Sequence, residues 1–299
     1  MHQAIAAWLT ERPWRAALAA AICGTFSLQM LMPFMVLAGA IPVLVALKVE
    51  SKQALVAAAT AAAAAIWIVV SLAPDASWLI AGVLILIFGP VLLALLLKQT
   101  GSLNLCFQVA VAAVAVAVLG VHLGLPDPAS VWVELLKRVI ESMESAGLHF
   151  AGDTDAMIAI WSRTMWGALA ALTLATLLGA LFLGCWWQTL LDSPGRFGAE
   201  YRQLRLGRVL GLAVTALFVA AFLSDSALIA SLAWVAFTAL SFQGLAAAHR
   251  SKAGGRLNRG WLAAIYVLLI VPLSMSITVL VLAIWGFADN WLRPRTQTV

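Results

Sequence analysis

The chain has 299 residues, of which 64% are hydrophobic and only 10% charged, with 18 basic and 13 acidic side chains and a net charge of +5. Soluble domains carry roughly 25% charged residues, so this composition excludes a soluble globular enzyme, a disordered chain and a collagen-like fibre. The mean hydropathy of +1.01 fits an all-α, polytopic membrane protein.

A spanning helix needs roughly 20 apolar residues. No charge falls between Arg15 and Lys48, and Pro33 and Pro42 divide that run. It reads as two short helices, 16–32 and 34–47, forming a hairpin. Further apolar runs cover 53–73, 78–97, 103–123, 156–187, 209–223, 227–248 and 261–288. The expectation is a bundle of eight or nine spans in a single integral membrane domain, 1–299. It divides into N-terminal helices (16–124), an outer insertion (125–155) and C-terminal helices (156–292). The basic N-terminus before an apolar run has the look of a signal peptide, but the run is too long for one and many spans follow, so cleavage is not expected.

Lys and Arg in short loops set orientation. They cluster at Arg12 and Arg15, Lys48 and Lys52, Lys98, Arg196 to Arg208, and Arg250 to Arg259; the turns near Pro33, Asp75 and Asp225 carry none. The basic loops and the N-terminus are therefore expected in the cytoplasm. With nine spans the C-terminus falls outside, against the preference of Arg293 and Arg295 for the inside. Basic residues spread between apolar segments in this way are membrane-loop residues and do not indicate nucleic acid. Trp14, Trp78, Trp186, Trp187, Trp261 and Trp291 sit at segment ends, where indole rings anchor at headgroup depth.

Two segments outside the bilayer stand out. From Asp127-Pro128 onward, Trp132, Leu135, Leu136, Val139, Ile140 and Met143 recur at helical spacing, with Glu134, Lys137, Arg138, Glu141 and Glu144 on the other face. Asp127 suits an N-cap, Pro128 the first helical position and Gly147 the stop. This extracytoplasmic amphipathic helix either lies on the membrane, caps a cavity or packs on a partner. On the cytoplasmic side, Pro194-Gly195 marks a turn. Phe197, Tyr201 and Leu204 share one face of the short helix that follows, with Arg202, Arg205 and Arg208 largely off it. Glu200 either pairs with Arg196 or serves a partner as an acceptor.

The run W-W-Q-x-L-L-x-x-P-G-x-F-x-x-E-Y-x-x-L-R-L from Trp186 to Leu206 resembles the YybS-like family of bacterial multipass membrane proteins. So do Arg259-Gly260-Trp261-Leu262, Tyr266-Val267-Leu268-Leu269 and Ala288-Asp289-Asn290-Trp291. That family is distantly similar in architecture to the substrate-binding subunits of energy-coupling factor transporters. The resemblance implies an inner-membrane location and a transport-like subunit. It makes Pro194, Gly195, Phe197, Glu200, Tyr201 and Arg205 a candidate interaction loop.

Intramembrane ionisable residues mark function by default, and this chain has almost none. Arg163 and His122 lie near outer segment ends, where they snorkel or donate at the interface. His2, His149 and His249 form no metal-ligand pattern, Cys23, Cys106 and Cys185 no C-x-x-C pair, and there is no G-x-S-x-G or phosphate loop. No catalytic residue, cofactor or metal is expected, and the protein is read as no enzyme. What remains is uncharged: Gly89-Pro90, and Pro272 followed by Ser274, Ser276 and Thr278, with Gln29 near Pro33. Proline breaks free carbonyls that line midplane sites in some transporters. Gln29, Pro90, Pro272, Ser274 and Ser276 are thus the candidate cavity lining. Small residues at 16, 20 and 24, and at 57, 61 and 65, permit close helix contact. The functional expectation is a non-enzymatic subunit that binds a small molecule or a lipid. The alternative is a scaffold that engages a membrane-protein partner through its loops and outer helix.

Overall fold

The computed structural model describes residues 2–27, 32–72, 78–148 and 152–292. Among these the chain is all-helical. The elements are α1 (His2–Glu11), α2 (Pro13–Phe26), α3 (Met32–Lys48), α4 (Ser51–Leu72), α5 (Trp78–Thr100), α6 (Leu103–Gly124), α7 (Ser130–Ser145), α8 (Thr154–Asp192), α9 (Arg196–Tyr201), α10 (Gly207–Leu223), α11 (Ala227–Ala253), α12 (Arg259–Ile270) and α13 (Pro272–Leu292). Six are long and apolar enough to cross a membrane: α4, α5, α6, α8, α11 and α13. Pro33–Lys48, Gly207–Leu223 and Arg259–Ile270 are shorter apolar helices. With 39 residues, α8 is about 58 Å long at 1.5 Å per residue, nearly twice the roughly 30 Å hydrocarbon layer.

The chain forms two compact units, 1–110 with 175–205, and 111–174 with 206–299. In the first, small residues line the contact between α2 and α4. Ala16, Ala20 and Gly24 of α2 are buried, as are Ala54, Ala57, Ala58, Ala61, Ala62 and Ala65 of α4. A Cβ on Gly24 would overlap the Ala61 carbonyl. The small-residue faces legible in the sequence are therefore each other's partners. The C-terminal half of α8 runs parallel to α3: Gly39 faces Ala180, Gly184 faces Ala40 and Val43, and Lys48 pairs with Asp192.

An unforeseen feature is α1. It buries Ala6 and Leu9, its His2 ring lies 5.2 Å from Trp186, and its Trp8 sits under the Arg15 guanidinium, which is paired with Glu11.

In the second unit, α7 packs Trp132, Leu136 and Ile140 on Ile158 of α8, with Trp132 edge-on to Trp166 at 5.2 Å. It begins at Ser130, two residues after the expected start, because Asp127 Oδ1 accepts the Ala129 N–H (3.1 Å) in a turn of its own. It ends at Gly147, whose φ of 86° lets Leu148 N reach back to Met143 O (3.0 Å).

The direction of the last helices follows from their contacts. Leu206 N donates to Gln243 Oε1 (2.9 Å) and Gly207 N to Asn290 Oδ1 (3.2 Å), so the start of α10 is level with Gln243 and Asn290. About three turns along α10, Phe218 meets Phe287 at 6.4 Å, and Phe222 and Leu223 line a groove with Leu280 and Ile284. Thus α10 is antiparallel to α13 and, through its short turn, to α11. The latter two are parallel, and an Arg250–Asp289 ion pair joins their C-terminal ends. Their backbones nearly touch, because a Cβ on Gly244 would overlap the Leu282 carbonyl and one on Gly286 the Leu240 carbonyl.

A parallel pair needs a return path, and α12 supplies it. The apolar run 261–288 is therefore two helices instead of one. The break is Val271 (φ −79°, ψ 118°). Pro272 has no N–H to continue the ladder, and Ser274 Oγ donates to the freed Leu268 carbonyl at 2.9 Å.

Candidate functional site

The loop after α8 is built as its residue types demand. Ser193–Arg196 is a turn closed by Arg196 N to Ser193 O (3.2 Å), with Pro194 second and Gly195 third at φ 93°. That is a type II geometry, which only glycine adopts freely at the third place. Tyr201 and Leu204 are buried and Phe197 is half-buried. Their partner is protein. Phe182 of α8 lies 5.3 Å from Tyr201 and 6.2 Å from Phe197, and the two loop rings lie 5.6 Å apart. Glu200 accepts from Arg196 Nε at 2.8 Å across one helical turn.

Arg205 has a backbone role. Its N–H donates to Asn104 Oδ1 (2.6 Å), and its carbonyl accepts from Gln108 Nε2 (2.9 Å). In the other unit, residues 206 and 207 are gripped likewise. Gln243, with no exposed surface, accepts from Leu206 N and donates to Gly286 O (3.0 Å). Asn290 both accepts from Gly207 N and donates to Gly207 O (3.1 Å). Among these groups, the N–H groups of Leu206 and Gly207 are ones that the start of α10 leaves open. A search confined to ionisable residues passes over the side-chain amides. The signal was present as single Asn and Gln residues in otherwise apolar runs.

The expected cavity residues divide between the two units. Gln29 lies outside the described residues. In the first unit, Pro90 is buried with its ring against Gly39. In the second, Pro272 and Ser276 are exposed, and Ser274 caps α12. Thr278 Oγ1 bonds to Ser274 O within its own helix (2.8 Å).

The second unit holds a groove of about 690 Å³ between α10, α11 and α13, walled by residues such as Phe218, Phe222, Phe237, Leu280, Ile284 and Phe287. Its single hydroxyl, Thr215, donates its hydrogen to Gly211 O at 2.9 Å. Phe222 is 94% exposed and Ile284 61%. Such a surface costs heavily in water, at roughly 25 cal/mol per Å² of apolar area, and suits hydrocarbon. Its lining carries no ionisable side chain. Among the described residues no cluster of His, Cys, Asp or Glu is arranged to hold a metal ion.

The chain matches no protein-family model, no curated protein and no solved structure.

Proposed function

We propose that this chain is a non-enzymatic, transport-like subunit of the bacterial inner membrane that binds a lipid-like ligand along the α10–α11–α13 groove. The observation that carries this reading is the groove itself: large, open and lined by apolar side chains with Thr215 as the single exception. The YybS-like pattern of Trp186–Leu206 supports the same assignment. The basic loops support a cytoplasmic N-terminus. The parallel α11–α13 pair supports a C-terminus on the side of the 250–259 loop, with α12 and α13 as a re-entrant or full hairpin and α7 outside.

Native mass spectrometry of the protein released from mild detergent tests this reading. Wild type should retain lipid adducts, and Val219→Trp, which fills the groove from a half-exposed position, should lose most of them. Equal retention by both, or none by either, would refute the proposal.

One observation favours the scaffold alternative. The row Val131, Leu135 and Val139 of α7 stays exposed at 41–46% beside the row packed on α8. A stoichiometric protein partner co-purifying with wild type and lost on Leu135→Glu would favour it.

A further inference from the structure

At the end of the second unit opposite the Arg250–Asp289 pair lies a smaller, polar pocket of about 320 Å³. It is lined by His122 of α6, the Asp127-Pro128-Ala129 turn, Arg163 and Trp166 of α8, and Ala227 at the start of α11. This volume is at the lower end of small-ligand sites. Three hydrogen bonds tie its lining to backbone groups. Trp166 Nε1 donates to Pro128 O (2.8 Å), Arg163 Nη2 to Asp225 O (2.7 Å), and Ala129 N to Asp127 Oδ1 (3.1 Å).

Two charges of opposite sign thus share the pocket without joining. Neither Arg163 nor Asp127 forms an ion pair among the described residues. Each is tied to backbone. The third polar group is also incomplete. His122 Nδ1 lies 3.0 Å from Val118 O and so carries its hydrogen there, while the buried Nε2 has no hydrogen-bond partner. In the neutral ring that nitrogen is an acceptor.

We propose that this pocket binds a zwitterionic phosphate ester of an amino alcohol, of the phosphoethanolamine kind. The phosphate would lie on the Arg163 guanidinium, whose planar fork matches phosphate oxygens. The ammonium would lie at the Asp127 carboxylate and His122 Nε2. An anion alone would leave Asp127 opposed to it, and a cation alone would leave Arg163 so. The position adds the tail. Phe222 and Leu223 of the apolar groove directly precede the turn whose Asp225 carbonyl holds Arg163. This inference rests on the lipid-binding reading for the acyl chain but not for the headgroup.

The test is binding to the full-length protein in detergent micelles. The probes are dihexanoyl-phosphatidylethanolamine, dihexanoyl-phosphatidylglycerol, O-phosphoethanolamine and inorganic phosphate. The ethanolamine lipid should bind at least about tenfold tighter than the glycerol lipid, a gap of about 1.4 kcal/mol. Asp127→Asn keeps the Oδ1 acceptor of its turn and loses only the charge, so it should fold normally and abolish that preference. Arg163→Gln should weaken every phosphate-bearing probe. O-phosphoethanolamine binding as tightly as the lipid supports the pocket with a soluble ligand, and binding of the lipid alone supports it with a membrane headgroup. Equal binding of both lipids, a preference unchanged in Asp127→Asn, or phosphate binding as well as phosphoethanolamine would overturn the proposal. Headgroup-blind lipid retention that Val219→Trp removes would sink this inference and leave the groove standing. Absence of any retained lipid, with O-phosphoethanolamine still bound, would do the reverse.

Discussion

Replacing Gln243 by Met exposes what holds the start of α10 in place. The side chain is fully buried, and its amide bridges Leu206 N–H to Gly286 O at 2.9 and 3.0 Å. Methionine has nearly the same shape and flexibility, so the cavity cost is small. What changes is hydrogen bonding. The Leu206 N–H precedes the first turn of α10 and loses its bond to Gln243, an ordinary net bond of about 1 kcal/mol. Gly286 O lies within α13 and keeps its place in the helical ladder, so its loss is again about 1 kcal/mol. Together the change should destabilise the protein by about 2 kcal/mol.

Unfolding by SDS titration of mixed micelles, followed by tryptophan fluorescence and circular dichroism, would measure it. Gln108→Met is the internal comparison. That side chain is only partly buried and its Nε2 serves a carbonyl, so it should cost clearly less. A Gln243→Met protein within about 0.5 kcal/mol of wild type would show that water or backbone adjustment replaces the bridge.

Gly244→Ala should be worse than typical helical Gly→Ala changes, which stabilise by up to about 1 kcal/mol through propensity. Its Cβ would meet the Leu282 carbonyl, a rigid backbone atom, so unfolding in the same titration should show a loss of at least the 1–3 kcal/mol usual for overpacking. Cysteines placed at Ser251 and Gln297, in a chain lacking the three native ones, should label from the same side with an impermeant thiol reagent; opposite labelling would contradict the parallel α11–α13 arrangement. Phe197→Asp should destabilise the loop against Phe182, read as faster proteolysis near Pro194. Glu200→Gln removes only the half-exposed pair with Arg196 and should change stability by less than about 0.5 kcal/mol.

Helix positions were largely legible because apolar run length and turn residues determine them. What the helices pack against was less so. Phe197, Tyr201 and Leu204 have the spacing of one buried face, and they do share one. Whether that face meets lipid or protein is absent from the pattern, since hydrocarbon tails and a protein interior are equally apolar. Here Phe182, itself an unremarked residue of α8, covers it. α7 shows the same limit in reverse. Its apolar arc is wide enough to be read as one face, yet Trp132, Leu136 and Ile140 pack inward with Val133 beside them, while Leu135 and Val139 stay exposed. The structural role of Gln243 and Asn290 is not legible in the sequence because an uncharged amide in an apolar run does not declare its partner. Only its backbone partners, 37 and 83 residues away, give it a role.

The end of the chain shows how one local break alters a global inference. Counted as a single span, 261–288 carries Arg293 and Arg295 to the side that lacks basic residues. The proline at 272 was legible, but a proline inside a helix is compatible with a kink or with a reversal. Sequence spacing cannot choose between them, because both leave the same apolar run. The choice is made by residues on other helices. Gly244 and Gly286 have no side chains, which lets α11 and α13 lie against each other along a shared small-residue surface, and Arg250 and Asp289 match charge at the same end. Once α13 must start at the far end, α12 has to run back, and the break becomes a reversal. The described end of α13, at Leu292, then lies at the same end as the Arg250–Asp289 pair and the start of the 250–259 loop, which a single helix over 261–288 could not achieve.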